Sequence, residues 1–251
     1  MTDGILIQAR TGSTRLPNKI LLPFYGQQRL IDILISRIRS ACPGIPVILA
    51  TTRRPQDDVL EEVARQHGIF SFRGEEDNVL DRFLGAADTY GIDRLIRVCS
   101  DNPFLQAESF NELFREHSAA PADYISYGFP DGRPVIRSHL GLFAELTTTD
   151  ALKRVAARAA GRPEYVEHLT TYLYTHPGQF SSRLLPLPES LRQRSDLRFT
   201  LDTPEDFSLL QELYALFAER ELSGLESLLE LVEENPGYVS EMRKNIRENG
   251  K

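Results

Sequence analysis

The chain has 251 residues, with 29 lysines and arginines against 36 aspartates and glutamates, for a formal net charge of −7. Hydrophobic residues make up 41 % and charged residues 26 %, an ordinary globular mixture far from the disordered range. The acidic balance argues against a general nucleic-acid binder but leaves room for a local basic site. Two cysteines, Cys42 and Cys99, cannot build a disulfide framework and lack metal-ligand spacing. The start, Met1 to Gln8, does not read as a signal peptide, and no apolar run approaches the roughly 18 residues of a membrane helix. The expectation is a soluble cytoplasmic protein with no membrane partner.

Strand-like and helix-like stretches alternate through the first half. Ile5 to Ala9 is a short apolar run. Leu30, Ile31, Leu34, Ile35 and Ile38 follow helical spacing. Val47 to Ala50 is a second strand. Pro55 opens a helix with Val59, Leu60, Val63 and Ala64 on one stripe, ended by Gly68. Ile69 to Phe72 is a third strand, Val79 to Tyr90 a helix stopped by Gly91, and Leu95 to Cys99 a fourth strand. This order predicts an α/β fold, a mostly parallel central sheet covered by helices on both faces.

The second half is less regular. Tyr124 to Tyr127 reads as a strand, Asp131 to Pro134 as a turn, and Val135 to Phe143 as a further strand that Gly141 weakens. Helices are predicted over Thr149 to Ala160 and Tyr165 to Tyr174, and strands over Phe180 to Leu185 and Leu197 to Leu201. Helices from Pro204 to Ala218 and from Leu222 to Glu233 close the series. The expected organisation is one domain over residues 1–235, with 120–195 as an elaboration and 236–251 as a loosely packed tail. Leu222, Leu225, Leu228, Leu229 and Val232 form a stripe suited either to a homodimer interface or to packing on the main sheet.

Ligands of open parallel sheets bind outside the carboxyl ends of the strands, and three loops placed there carry chemistry. Between Asp3 and Asp32 there is no acid, yet Arg10, Arg15, Lys19 and Arg29 are all basic. Gly12 permits close backbone approach, Thr11, Ser13 and Thr14 add hydroxyls, and Arg10, Arg15 and Lys19 suit a polyphosphate. Neither a GxxxxGK[ST] loop nor a GxGxxG fingerprint is present. After the fourth strand, Ser100-Asp101-Asn102-Pro103 offers either a Mg²⁺ carboxylate beside a triphosphate or an ordinary Asx-turn. In Thr200-Leu201-Asp202-Thr203-Pro204-Glu205-Asp206, Thr203 and Asp206 read as a helix capping box, which leaves Asp202 unexplained. With Asp101 it would complete a two-carboxylate metal site.

Ala9 to Lys19 resembles the opening signature of the cytidylyltransferase family that includes acylneuraminate and 3-deoxy-manno-octulosonate cytidylyltransferases, and within it the spore-coat polysaccharide SpsF type. Arg73-Gly74, Asn78 to Phe83, Ser100 to Pro103 and Thr200 to Asp206 match in the family's order. The resemblance implies a three-layer nucleotidyltransferase fold related to the GT-A glycosyltransferases, and CTP held by the loop Arg10 to Lys19. It implies Mg²⁺ on Asp101 and Asp202, and the segment with Arg73, Asp81 and Arg82 near base and ribose. CMP would pass from CTP to a small acidic acceptor with release of pyrophosphate. Glu167-His168 resembles the family's acceptor-side Glu-His, where His168 serves either as a base or as a plain helix residue. The chain departs from the SpsF type at Ser100, usually Gly, and at Arg133-Pro134-Val135-Ile136, where two acids are missing and Arg133 and Arg137 stand. A cationic acceptor pocket there suits a carboxylate, phosphate or phosphonate; a rebuilt surface strand is the plainer reading. Two other readings stay open: a GT-A glycosyltransferase, against which no Asp-x-Asp occurs, and a non-catalytic nucleotide-binding scaffold.

Overall fold

Along Asp3–Gln8 (β1), Ile5 and Ile7 enter one buried cluster and Leu6 another, because successive strand residues face opposite sides of a sheet. A computed structural model describes residues 1–159 and 162–249. After β1 come a hairpin of β2 (Pro23–Tyr25) and β3 (Gln28–Arg29), α1 (Leu30–Ala41), β4 (Val47–Thr52), α2 (Asp58–Gln66) and β5 (Phe70–Gly74). Then follow α3 (Val79–Tyr90), β6 (Arg94–Cys99), α4 (Ser109–Ala119), β7 (Tyr124–Gly128), β8 (Glu145–Thr148) and α5 (Thr149–Arg158). Short helices α6 (Pro163–Glu167) and α7 (Thr171–Thr175), strand β9 (Ser182–Pro186), and helices α8 (Pro204–Glu219), α9 (Gly224–Glu234) and α10 (Pro236–Glu248) complete the chain.

The seven-stranded sheet has the order β5-β4-β1-β6-β8-β7-β9. β1 pairs in parallel with β4 and β6, β4 with β5, and β7 with β9, while β8 runs antiparallel to β6 and β7. Only β8 therefore opposes the common direction. One face packs on α1, α2, α4, α8, α9 and α10, through residues such as Ile35, Leu60, Phe110, Leu213, Leu229 and Met242. The other packs on α3, α5 and α7, through Phe83, Leu152 and Leu173. This is the three-layer α/β architecture that the alternation of strands and helices predicts.

Several expectations are corrected. Val135 to Phe143 is not a strand: Val135–Arg137 forms a 3-10 turn, and Gly141 sits at φ +60°, where a Cβ would fall 2.9 Å from Asn102 Oδ1. Leu197 to Leu201 lies outside the sheet and gives its N–H groups to loops and to a sulfur, as described below. The helix expected over Tyr165 to Tyr174 is broken into α6 and α7. The helix expected over Thr149 to Ala160 ends at Arg158, and Ala160 lies outside the described residues. The loose tail expected over 236–251 is instead α10 through Glu248, which buries Tyr238, Met242 and Asn245. The Leu222 stripe packs against the main core, so that apolar face is used within the chain. Among the described residues, no helix is long and apolar enough to cross a membrane.

A buried polar network ties the sheet to the second helical layer. Arg97 on β6 stands in register with Glu145 on β8, and Arg97 Nη1 donates to Glu145 Oε2 at 2.7 Å. The same carboxylate accepts from the Tyr124 hydroxyl at 2.5 Å and from Thr170 at 3.2 Å. Gln8 Oε1 accepts from Arg97 Nε and Nη2. Removing one partner of a buried pair leaves the other charge uncompensated. Glu145→Ala is expected to cost about 3–5 kcal/mol in urea unfolding, and Arg97→Met with Glu145→Leu to recover most of it. A single-variant cost below about 1 kcal/mol, the range of an exposed pair, would show the network to be inconsequential.

Candidate active site

The loop after β1 is fixed from beneath by an acid. Thr11 donates both its backbone N–H and its hydroxyl to Asp57 Oδ1, each at 2.7 Å. Asp57, 2 % exposed, also accepts from the Thr52 hydroxyl. The Thr11 carbonyl in turn accepts from Ser13 N and Asn18 N, both at 2.9 Å, which curls residues 11–18 into a compact loop. Asn18 adopts left-handed φ 58°, as the short polar side chain of Asn tolerates. Thr11 is thus a loop anchor whose hydroxyl is spent inside the protein. A Cβ on Gly12 would meet only Glu76 Oε1, at 3.5 Å, so packing within the described residues does not demand glycine there. Asp57 was not singled out from sequence, since an acid in the first turns of a helix is ordinary dipole chemistry.

The two candidate metal carboxylates are brought together by a backbone bond. Leu201 N donates to the Asp101 carbonyl at 2.9 Å, and Phe199 N to the His139 carbonyl at 2.9 Å. The segment that sequence patterning reads as a strand therefore docks on the loop after β6. Lys19 Nζ lies 2.9 Å from Asp101 Oδ2, 3.8 Å from Asp202 Oδ1 and 2.6 Å from the Leu201 carbonyl. Arg15 Nη2 is 3.2 Å from Asp202 Oδ1. Arg15, Lys19, Asp101 and Asp202, four residues from three distant loops, form one cluster at the carboxyl ends of β1 and β6.

Behind Asp202 stands Arg198, 1 % exposed. It makes a two-pronged pair with Asp206, Nε to Oδ1 and Nη2 to Oδ2, each at 2.7 Å. Its remaining reach goes to Asp202 Oδ2 at 3.1 Å and His139 Nδ1 at 2.6 Å. Asp206 also accepts from the backbone of Asp202 and Thr203 and from Asn245 on α10. Burial pushes the Asp206 carboxyl up, but Arg198 and the backbone donors outweigh it and hold it below its ordinary value. The Thr203–Asp206 capping box is present as its sequence implies.

The remaining candidates divide sharply. Arg10 lies 3.6 Å from Glu76, a carboxylate it shares with Arg54. Arg73 donates to the carbonyls of Thr52 and Arg54 and pairs with Asp58 and Glu61, so it staples β5 to α2. Asp81 is engaged by the side chain of Asn78, the cap of α3. Arg82, 1 % exposed, donates to the Glu75 and Glu76 carbonyls. Burial and the Arg10 charge push its guanidinium down to about 10, opposed by Asp57 and Glu76, so it remains a cation at neutral pH. Arg82 is thus spent inside the fold, half-buried Arg73 on the β5–α2 contact, and exposed Asp81 on the cap of α3. Of the residues expected on the acceptor side, Arg133 lies over the Phe129 ring at 4.4 Å. Arg137 is exposed and faces the Tyr174 hydroxyl, which bonds Thr171 at 3.0 Å. Glu167 and His168 are exposed where α6 ends. These four do not join the Asp101–Asp202 cluster.

Two outcomes test this geometry. Asp57→Ala strands buried donors of Thr11 and is expected to destabilise by about 1–3 kcal/mol, with faster amide exchange confined to residues 11–18. Exchange unchanged there would show that Asp57 does not anchor the loop. Because the folded Asp206 value lies below the unfolded one, its contribution is complete above about pH 4 and fades as pH falls through the depressed value. Asp206→Asn should therefore flatten the fall of unfolding free energy between about pH 4 and pH 2; an unchanged acid slope would contradict the pairing.

Comparison with known proteins gives the family. A family model described as cytidylyltransferase matches residues 4–243. The spore coat polysaccharide biosynthesis protein SpsF of Bacillus subtilis is 33 % identical over 94 % of this chain and 96 % of its own length. A 3-deoxy-manno-octulosonate cytidylyltransferase of Koribacter versatilis is 26 % identical, over 89 % of this chain and 88 % of its own. Among solved structures, a cytidylyltransferase from Leptospira borgpetersenii superposes with a TM-score of 0.84 at 30 % identity, covering 95 % of this chain and 97 % of that one. A CMP:2-keto-3-deoxy-manno-octonic acid synthetase complexed with CTP shares the fold, with a TM-score of 0.60 at 18 % identity, covering 88 % of this chain and 100 % of that one. With these matches spanning nearly the whole chain, and the signature loop and both carboxylate loops meeting at one rim, the chain belongs to the cytidylyltransferase family and is a nucleotidyltransferase.

Proposed function

We propose that the protein transfers CMP from CTP to a small acidic acceptor, releasing pyrophosphate, with Mg²⁺ held by Asp101 and Asp202. The observation that supports this reading most is the convergence of Asp101, Asp202, Lys19 and Arg15 at one strand-end rim. The donor set fits the metal. Two carboxylates are hard oxygen ligands, and the described residues hold no group of three or more His, Cys, Asp or Glu suited to a metal. Mg²⁺ is commonly held by one or two carboxylates, with phosphate oxygens and water completing six ligands. When bound, the ion would neutralise charge on the triphosphate and on departing pyrophosphate.

The chain's own residues do the rest. Arg10, Ser13, Arg15 and Lys19, with the Gly12 backbone, would grip phosphate oxygens and hold the α-phosphorus in line. An acceptor oxygen forms a bond to the α-phosphorus as the bond to the bridging oxygen breaks, and the β- and γ-phosphates leave together. Arg15 and Lys19 stabilise the charge that grows on that leaving group. Exposed Arg137 and half-buried Arg133 favour an acceptor bearing a carboxylate, phosphate or phosphonate. A hydroxyl acceptor needs its proton removed, and His168 is the acceptor-side residue able to take it; a phosphate or phosphonate acceptor needs no base. The likeness to a spore coat polysaccharide biosynthesis protein supports a place in surface polysaccharide or glycoconjugate synthesis, in the cytoplasm, where CTP is available.

Calorimetry with CTP, UTP, GTP and ATP, with and without Mg²⁺, tests the reading. CTP is expected to bind best, with Mg²⁺ tightening it, and Asp101→Asn or Asp202→Asn to abolish that gain by about tenfold or more. Preference for an intact nucleotide sugar would replace the proposal with glycosyl transfer.

A further inference from the structure

The position between the two candidate metal carboxylates is held by a cation of the chain itself. Lys19 Nζ sits 2.9 Å from Asp101 Oδ2 and 3.8 Å from Asp202 Oδ1, and its side chain is only 12 % exposed. The Leu201 carbonyl, 2.6 Å away, takes another of its three protons. Asp202 is further engaged, with Arg15 on Oδ1 and Arg198 on Oδ2. Lys19, Arg15 and Arg198 thus stand against Asp101, Asp202 and Asp206, so each of these carboxylates already has a cationic partner.

A dication added to such a cluster gains little. It must displace an ammonium from the same oxygens, and that ammonium, if it stays close, repels it. A nucleotide changes both terms. Its triphosphate brings the charge that a dication balances, and it offers Lys19 new acceptor oxygens. The backbone at Lys19 need not move for this: Asn18 N is tied to the Thr11 carbonyl, Leu21 N to Asn18, and the flexible four-carbon stem alone can swing the ammonium.

We propose that Lys19 is the resident cation of this site and exchanges with the divalent metal, leaving the carboxylates for the phosphates as metal and nucleotide enter together. Lys19 is thereby a specificity-determining residue: it makes the site accept a divalent ion only in company with a polyphosphate. The proposal rests on the reading of Asp101 and Asp202 as the metal carboxylates.

The test is Mn²⁺ binding to the full chain without nucleotide, read by electron paramagnetic resonance of free Mn²⁺. Lys19→Met keeps the stem and removes the charge, and should bind Mn²⁺ at least about tenfold tighter than the parent. Lys19→Arg should resemble the parent, and Lys19→Met with Asp101→Asn should lose the gain. Thermal unfolding checks each fold, with Lys19→Gln as the second neutral variant should Lys19→Met not fold. Folded neutral variants that bind Mn²⁺ no tighter than the parent overturn the exchange. A separate titration of the parent with Mn²⁺ and CTP guards the premise. If nucleotide-supported Mn²⁺ binding is indifferent to Asp101→Asn and Asp202→Asn, the metal reading fails and the exchange with it. If it is sensitive while Lys19→Met shows no gain, only the exchange fails.

Discussion

The hydrogen bond from Leu201 N to the Asp101 carbonyl is the constraint on which the site depends. A strand belongs to its sheet because neighbours take its N–H and C=O groups. Leu197 to Leu201 has the alternating pattern of a strand, yet the N–H groups of Arg198, Phe199 and Leu201 go to the Met242 sulfur, the His139 carbonyl and the Asp101 carbonyl. A buried donor of this kind needs a partner, and two loops and a helix side chain, not a ladder, supply them here. The consequence is chemical, since Asp202, the next residue, is delivered to the side of Asp101. Gly141 belongs to the same arrangement, because a side chain there would strike Asn102, Thr200 and the Phe199 backbone.

Charge is handled by the same logic. A basic loop is stable on an acidic protein when each cation has a partner, and here the partners are the carboxylates of the site and of Glu76. Arg198 is the deepest of these cations. Its pairing with Asp206 leaves one guanidinium edge to fix Asp202, while α10 closes over the pair through Asn245 and Met242. The C-terminal helix is in this way part of the site's foundation.

The β6–β8–β7 side of the sheet is built differently. Arg97, Glu145, Tyr124 and Thr170 bind the ends of β6 and β8 to the short segment between α6 and α7. A satisfied polar network in a low-dielectric interior fixes geometry more firmly than apolar contacts, which tolerate sliding. Arg137, Glu167 and His168 stay exposed. The Asp101–Asp202 cluster is thus locked by charge pairs, and these three exposed side chains stand apart from it.

Periodicity made most of the parallel half legible, because strands of about five residues and helices of about three turns have distinct spacings. That Lys19, Asp101 and Asp202 share one rim was legible too, since each follows an expected strand and strand ends of a parallel sheet lie together. The stripe Tyr238, Met242 and Asn245 also has helical spacing, but an asparagine in the third place and charges around it hid the face that α10 buries. Tertiary structure alone decided which polar groups turn inward. Thr11, Arg73 and Arg82 look like ligand contacts in a linear reading, and each is spent on a partner that folding brings from elsewhere. Asp57, Arg198 and Glu145 look like ordinary helix or strand residues, and each is a buried anchor. A sequence states the chemistry a side chain can perform, but the direction in which it points depends on contacts between residues far apart along the chain.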